Sequence, residues 1–228
     1  MRIAKITVAL AALAAAGALG RADAAVVGGS ITRTTNQGAP AGTFVLLDPT
    51  AADPFVVGGD VINDPNLYAF DEVQGYALTS PLTVTGPDGS VIALPTGTVL
   101  NSHYVEWDPS LEGRGRADIT VTFDGPILGV IVARQGLVAT DAEFGADHVE
   151  YRNDGPRGLE QPGDTFTIAG NTISLNVFAR APDGFRVFTL AAPAAPVPVP
   201  AAGWMMAAGL AGAARLGGLR VRVKARRA

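Results

Sequence analysis

Between residues 55 and 191, short apolar segments recur about every eight to twelve residues, separated by Gly, Pro, Asp and Asn, with no sustained helical period. That spacing predicts strands. Ala117, Ile119, Val121 and Phe123 alternate with Asp118, Thr120 and Thr122, so one face of this segment is expected to be buried and the other wet. The strand stops at Asp124-Gly125-Pro126. Residues 127–133 are apolar throughout, as a strand covered on both faces requires, and Gly129 within them marks a bulge or a close approach. Hairpin turns are predicted at Gly86-Pro87-Asp88-Gly89 and at Gly170-Asn171, with a third at Pro182-Asp183-Gly184 joining residues 173–179 to 185–190. Nine or ten such strands are most economically arranged as an all-β fold, a two-sheet antiparallel β-sandwich over residues 55–191, with jelly-roll wiring as one option. Residues 140–148 stand apart, as a helical turn or a long acidic loop. Residues 25–54 read as an irregular N-terminal segment, with Phe44-Val45-Leu46-Leu47 as an edge strand.

The two ends of the chain follow different rules. Arg2 and Lys5 precede an apolar stretch over residues 6–19, and Ala22-Asp23-Ala24 supplies small residues where a signal peptidase reads them. Residues 1–24 are therefore expected to be a signal peptide with a helical core, cut after Ala24 or Ala25. At the other end, Pro193, Pro196, Pro198 and Pro200 fix φ and remove backbone donors, which makes residues 192–200 an extended linker. Residues 201–219 are Ala, Gly, Leu, Met and Trp204, interrupted only by Arg215, and as a helix they reach roughly 28 Å, the span of a transmembrane segment. The uncharged part, 201–214, is short, so Arg215 has to snorkel toward the headgroups. With Arg215, the residues Arg220, Arg222, Lys224, Arg226 and Arg227 form a basic stop, and the 220–228 tip is expected to stay cytoplasmic.

Proline motif, short apolar helix and Arg-rich end together resemble the PEP-CTERM class of bacterial sorting signals, in its VPLPA-type variant. Val197, Pro198, Val199, Pro200 and Ala201 match that pentapeptide except at Val199, where Leu is usual. The resemblance covers about the last 35 residues, and the helix is richer in Ala and Gly than is typical of the class. It implies export in a Gram-negative bacterium, transient or permanent anchoring in the inner membrane, and processing by an exosortase-type membrane enzyme. The destination it implies is the envelope or an extracellular polymer such as a biofilm matrix. Residues 63–72 and 101–104 also resemble a segment of other tagged bacterial surface proteins of unassigned activity.

Charge sharpens the picture of what is delivered. The whole chain carries 17 basic and 21 acidic residues, net −4; setting aside three basic and one acidic residue in the leader and six basic ones in the tail leaves 8 against 20, near −12. A body this acidic is a poor partner for nucleic acid. There is no cysteine, which excludes disulfides, thiol catalysis and Cys-ligated zinc.

Candidate chemistry is sparse. His103 and His148 are the only histidines and lie outside any zinc spacing, and neither a nucleophile elbow nor a phosphate-cradling loop is present. A glycan hydrolase or lyase would have to draw its acid pair from Glu106, Asp108, Asp118 or Glu150. Tyr104 and Trp107, on the strand over residues 98–108, are the candidate glycan contacts, although alternation puts them on opposite faces. Two groups of oxygen ligands suit a structural calcium: Asp60, Asn63 and Asp64, and Asp141, Glu143 and Asp147. No catalytic residue or bound cofactor is assigned. The expected function is that of a non-catalytic structural or binding protein, with extracellular polysaccharide as a partner and a carbohydrate-binding module as the alternative.

Overall fold

A computed structural model describes residues 25–35, 42–50, 55–59, 61–110, 115–153, 155–160, 162–179 and 181–191. The leader, the proline linker, the apolar run and the basic stop lie outside the described residues. Among the described residues, no helix is long and apolar enough to cross a membrane.

The described residues are mostly β, with several sheets and one short helix. Its strands are β1 (Val26–Arg33), β2 (Phe44–Leu46), β3 (Phe55–Val57), β4 (Leu67–Asp71), β5 (Tyr76–Ala77), β6 (Leu82–Thr85), β7 (Val91–Leu94), β8 (Val99–Trp107), β9 (Gly115–Phe123), β10 (Ile127–Ile131), β11 (Val149–Tyr151), β12 (Thr165–Ala169), β13 (Thr172–Ala179) and β14 (Asp183–Leu190); the helix, α1 (Arg134–Phe144), lies between β10 and β11. A four-stranded sheet runs β1-β9-β13-β12, and a larger one runs β2-β4-β8-β14-β10-β6-β7 with β5 also paired to β8. A small third sheet pairs β11 with β3 in parallel, and β2 joins β4 in parallel, so the expectation of purely antiparallel pairing does not hold.

Alternation explains the layers. In β9, Ala117, Ile119, Val121 and Phe123 are buried, as the pattern required, and they meet Leu67, Ala69, Val105, Trp107, Phe185 and Val187 of the large sheet in one core. The opposite face of the large sheet is also covered. Phe70, Leu100, Tyr104 and Phe188 pack there with Leu137 and Phe144 of α1 and with Val57 of β3. The central strand β8 therefore has no wet face: from Leu100 to Trp107 every residue is buried. In β10, the pairing with β14 shifts between Ile127 and Gly129, and a Cβ at position 129 would run into Val84 and the Thr85 carbonyl. Gly129 is thus both a bulge and a close approach.

Two predicted hairpins are present. Gly89 adopts φ +79° in the β6–β7 turn and Gly170 φ +62° in the β12–β13 turn, conformations that suit glycine. The third is not a hairpin. β13 pairs with β9 in the small sheet whereas β14 pairs with β8 in the large one, so Pro182-Asp183 is a crossing between sheets. β8 and β9 likewise belong to different sheets, and the strand ends flanking the two connections pair with each other, Trp107 with Asp183 and Gly115 with Ala179.

Two other boundaries move. Residues 25–54 are not simply irregular, because β1 pairs with β9 from Val26 to Arg33 and buries Val26 in the core between the two larger sheets, while β2 forms the expected edge strand. The strands accordingly belong to one unit, Ala22–Pro193. The helical exception starts earlier than residue 140: α1 begins at Arg134 and seats Leu137, Thr140 and Phe144 against the sheet.

Candidate functional site

Where β14 crosses the face covered by α1, its apolar run Phe185–Phe188 is broken by Arg186, which is completely buried. Cross-strand pairing sets Arg186 beside Tyr104 of β8, and the end of β4 delivers Glu72. The Glu72 carboxylate accepts Nε and Nη2 of Arg186 at 2.6 and 2.7 Å, the Ser102 hydroxyl at 2.6 Å and the Tyr151 hydroxyl at 2.6 Å. From α1, Thr140 takes Arg186 Nη1 at 2.6 Å and Asp141 takes Nη2 at 3.1 Å. Asp141 also accepts two bonds from Arg157, at 2.6 and 2.8 Å, while Arg157 Nε donates to the Tyr104 hydroxyl at 2.7 Å. Two cations and two anions therefore neutralise each other.

Both guanidinium groups also lie 5.0 to 5.8 Å from the ring centres of Tyr104 and Tyr151. Burial alone would lower the Arg186 pKa, but Glu72, Tyr151 and Asp141 outweigh it and hold the group above its ordinary value. Burial raises Tyr151 and Tyr104 well above the usual phenol range, so both hydroxyls stay protonated at neutral pH. With so many of its polar atoms paired internally, this seam ties α1 to the sheet and presents little to a ligand.

A second charged group is built differently. Asp183 is 2% exposed, and neither of its carboxylate oxygens has a hydrogen-bond partner. Burial, then the negative charges of Asp164, Glu160, Asp108 and Glu106, push its pKa up to about 9. Glu106 is pushed up to about 8, chiefly by burial, although it accepts the Gly58 N–H at both oxygens. Asp164 is tied to the backbone, accepting from Glu160 at 2.5 Å and from Phe178 at 2.7 Å. These acids sit at the end of the core between the two larger sheets, where β14 starts. Among the described residues, no three His, Asp or Glu side chains converge closely enough to hold a metal ion.

A third arrangement has the connectivity of a nucleophile relay. Asp71 Oδ1 lies 2.7 Å from His103 Nδ1, and His103 Nε2 lies 2.9 Å from the Thr189 hydroxyl. With Nδ1–H donating to Asp71, Nε2 accepts from Thr189, so both ring nitrogens have partners. His103 and Thr189 are both fully buried and the imidazole packs on Phe123 at 4.8 Å, so no carbonyl can approach the hydroxyl. Its role is to lock β4, β8 and β14 together.

An open groove of about 660 Å³ lies between the free edge of β12 and the β6–β7 turn. Phe166, Val132 and Ile168 supply its apolar wall and Asp88, Thr165 and Thr167 its polar one.

The expected glycan contacts require correction. Tyr104 and Trp107 are fully buried on opposite faces of β8, and the Trp107 indole N–H donates to the Pro65 carbonyl at 3.3 Å, so neither ring can stack on a sugar at the surface. Asp141, expected as a calcium ligand, is occupied by two arginines. Asp64 is engaged by the Asn66 N–H of its own loop at 2.8 Å and by the Tyr68 hydroxyl of β4, and Asp60 lies outside the described residues. Of the four candidate acids, Glu106 and Asp108 lie near each other but are buried on backbone N–H groups, whereas Asp118 accepts from Asn176 at 2.6 Å on the outer face of the four-stranded sheet and Glu150 is exposed beside Arg152. Of the four, only Asp118 lines one of the described cavities, a shallow one of about 290 Å³.

The buried seam left one signal in the sequence, a single arginine inside an apolar strand. Asp183 left none, because Pro182-Asp183-Gly184 has the composition of an exposed turn. Compared with known proteins, the chain matches no family model, no curated protein and no solved structure.

Proposed function

We propose that this chain is an exported, non-catalytic surface or extracellular-matrix protein, delivered by a C-terminal sorting tag that an exosortase-type membrane enzyme processes. One observation carries the proposal: the order Val197-Pro198-Val199-Pro200-Ala201, apolar run, then a basic stop from Arg215 through Arg220, Arg222, Lys224, Arg226 and Arg227. A signal-peptide-like leader at the opposite end and a cysteine-free, acidic body agree with it. Signal peptidase and the sorting enzyme are its processing partners, and the inner membrane holds it at least in transit. The domain delivered is proposed to be a β-sandwich with jelly-roll-like wiring, supported by the change of sheet from β8 to β9 and from β13 to β14 with paired flanking strand ends. Its polymer-binding surface is assigned to the groove beside β12, where Phe166 offers an apolar face and Thr165, Thr167 and Asp88 offer groups for hydroxyls.

Cell fractionation of a wild-type strain and one lacking the sorting enzyme tests the proposal. The protein should leave the membrane only in the wild type; equal distribution in the two strains refutes it.

A second function, a secreted glycan hydrolase or lyase, is favoured by one feature, that Asp88 and Asp164 both line this groove. Asp164 is held by two backbone N–H groups, which argues against a free acid or base. Release of reducing ends from the organism's own polysaccharide, abolished by Asp88→Asn, would establish this second function in place of the first.

A further inference from the structure

The start of β1 faces two carboxylates. The Ala25 N–H donates to Asp124 Oδ1 at 2.7 Å, and the Asp124 N–H donates back to the Ala25 carbonyl at 3.0 Å. One residue later, the Val26 N–H donates to Asp71 Oδ1 at 3.0 Å. Val26 is 2% exposed and anchored in the core, whereas Ala25 is half-buried and retains contact with water.

We infer that the exported protein begins at Ala25 and that its new α-ammonium group is held by the Asp124 carboxylate, making Asp124 the docking site of the mature N-terminus. This rests on the export proposal above. A signal peptidase adds water across the Ala24–Ala25 peptide bond; Ala24 leaves with the carboxylate, Ala25 keeps the amine, and the amine takes up a proton at neutral pH. A bond in which only the acceptor is charged becomes an ion pair in which donor and acceptor both are, which strengthens it further. Ala25 is half-buried rather than buried, so the new ammonium group keeps access to water.

The neighbouring bond fits worse on three counts. A cut after Ala25 puts Asp23 rather than Ala22 at the third position before the cut, where a small residue is needed. It would also leave an ammonium at buried Val26, beside an Asp71 carboxylate already engaged by His103. Finally, it would remove the carbonyl that accepts the Asp124 N–H.

The chain makes this testable because its only lysines are Lys5 and Lys224, so the exported protein has no primary amine besides its N-terminus and, where the tail is retained, Lys224. The exported protein is purified from wild-type cells and from an Asp124→Asn strain, sequenced from its N-terminus, and labelled by reductive ¹³C-methylation for NMR titration. The expected result is an N-terminal Ala25 whose amine titrates above about 8.5 in the wild type and falls to the ordinary value of about 7.7–8.0 in Asp124→Asn. An exported chain that begins at another residue, or an amine that titrates identically in both proteins, overturns the inference and leaves export standing. A chain recovered only with Met1 in the cytoplasm overturns export itself and the inference with it.

Discussion

Replacing Asp183 with asparagine should stabilise the protein at alkaline pH and do so progressively less as the solution is acidified. The native carboxyl titrates near 9, against about 3.9 for an unfolded aspartate, so between these values the folded state binds more protons than the unfolded state. Stability from this group is therefore greatest below pH 4 and declines as pH rises toward 9, the reverse of a salt-bridged aspartate. Between pH 5 and 8 the decline is about 4 kcal/mol by linkage, reduced to about 2 where water penetrates on ionisation. Asparagine does not titrate, so it removes this slope. It also leaves a buried amide with no partner, a constant cost of about 1–3 kcal/mol that cancels when the two pH values are compared. Urea denaturation of wild-type and Asp183→Asn proteins at pH 5 and 8 reads the difference directly, and Trp107, the cross-strand neighbour of Asp183, provides the fluorescence signal. A stabilisation that grows by 2 kcal/mol or more from pH 5 to pH 8 is expected, as ~2–4 follows from the linkage. A variant that tracks the wild type at both values would refute a buried, unpartnered carboxyl.

Three further expectations follow from the same geometry. Glu72→Gln leaves the Arg186 guanidinium buried with a weakened partner set, and Arg186→Met leaves Glu72 likewise; each should lower the unfolding free energy by about 3–5 kcal/mol, and the double variant should lose less than the sum in a mutant cycle. Trp107→Ala and Tyr104→Ala should each cost about 3–5 kcal/mol through the cavities they open, without altering polysaccharide retention by the protein that remains folded, whereas Thr165→Ala and Thr167→Ala, at exposed positions beside the groove, should lower retention in a pull-down and leave the melting temperature nearly unchanged. Excess EGTA should leave the melting temperature where it was, since Asp141 is saturated by two arginines; a fall of several degrees would point to a cation site elsewhere.

Period-two patterning made the strands legible wherever one face of the sheet meets the core, as in β9, and glycine chemistry made two turns legible. What escaped was the partnership between strands. Nothing local distinguishes Pro182-Asp183-Gly184 in a hairpin from the same residues carrying the chain between sheets, because both need a sharp change of direction. The alternation in β8 correctly separated Tyr104 from Trp107, but it could not reveal a third layer of α1, β3 and β11 over the face that carries Tyr104. For the same reason a surface-seeming aromatic was a core residue, and Asp141, apparently a loop acid, was the counter-ion of two buried arginines. β1 was missed because Val26-Val27-Gly28-Gly29 carries little alternation, and its place is set by pairing with β9. The proposed sorting signal, by contrast, is read wholly from composition and order.

The central claim is that the tail is an address which is read and removed. Intact-mass spectrometry of the protein recovered from the extracellular fraction tests it most directly. The account predicts a chain that ends within or beside Val197-Pro198-Val199-Pro200-Ala201 and lacks the apolar run and the basic stop. An extracellular protein that still ends at Ala228 would contradict it.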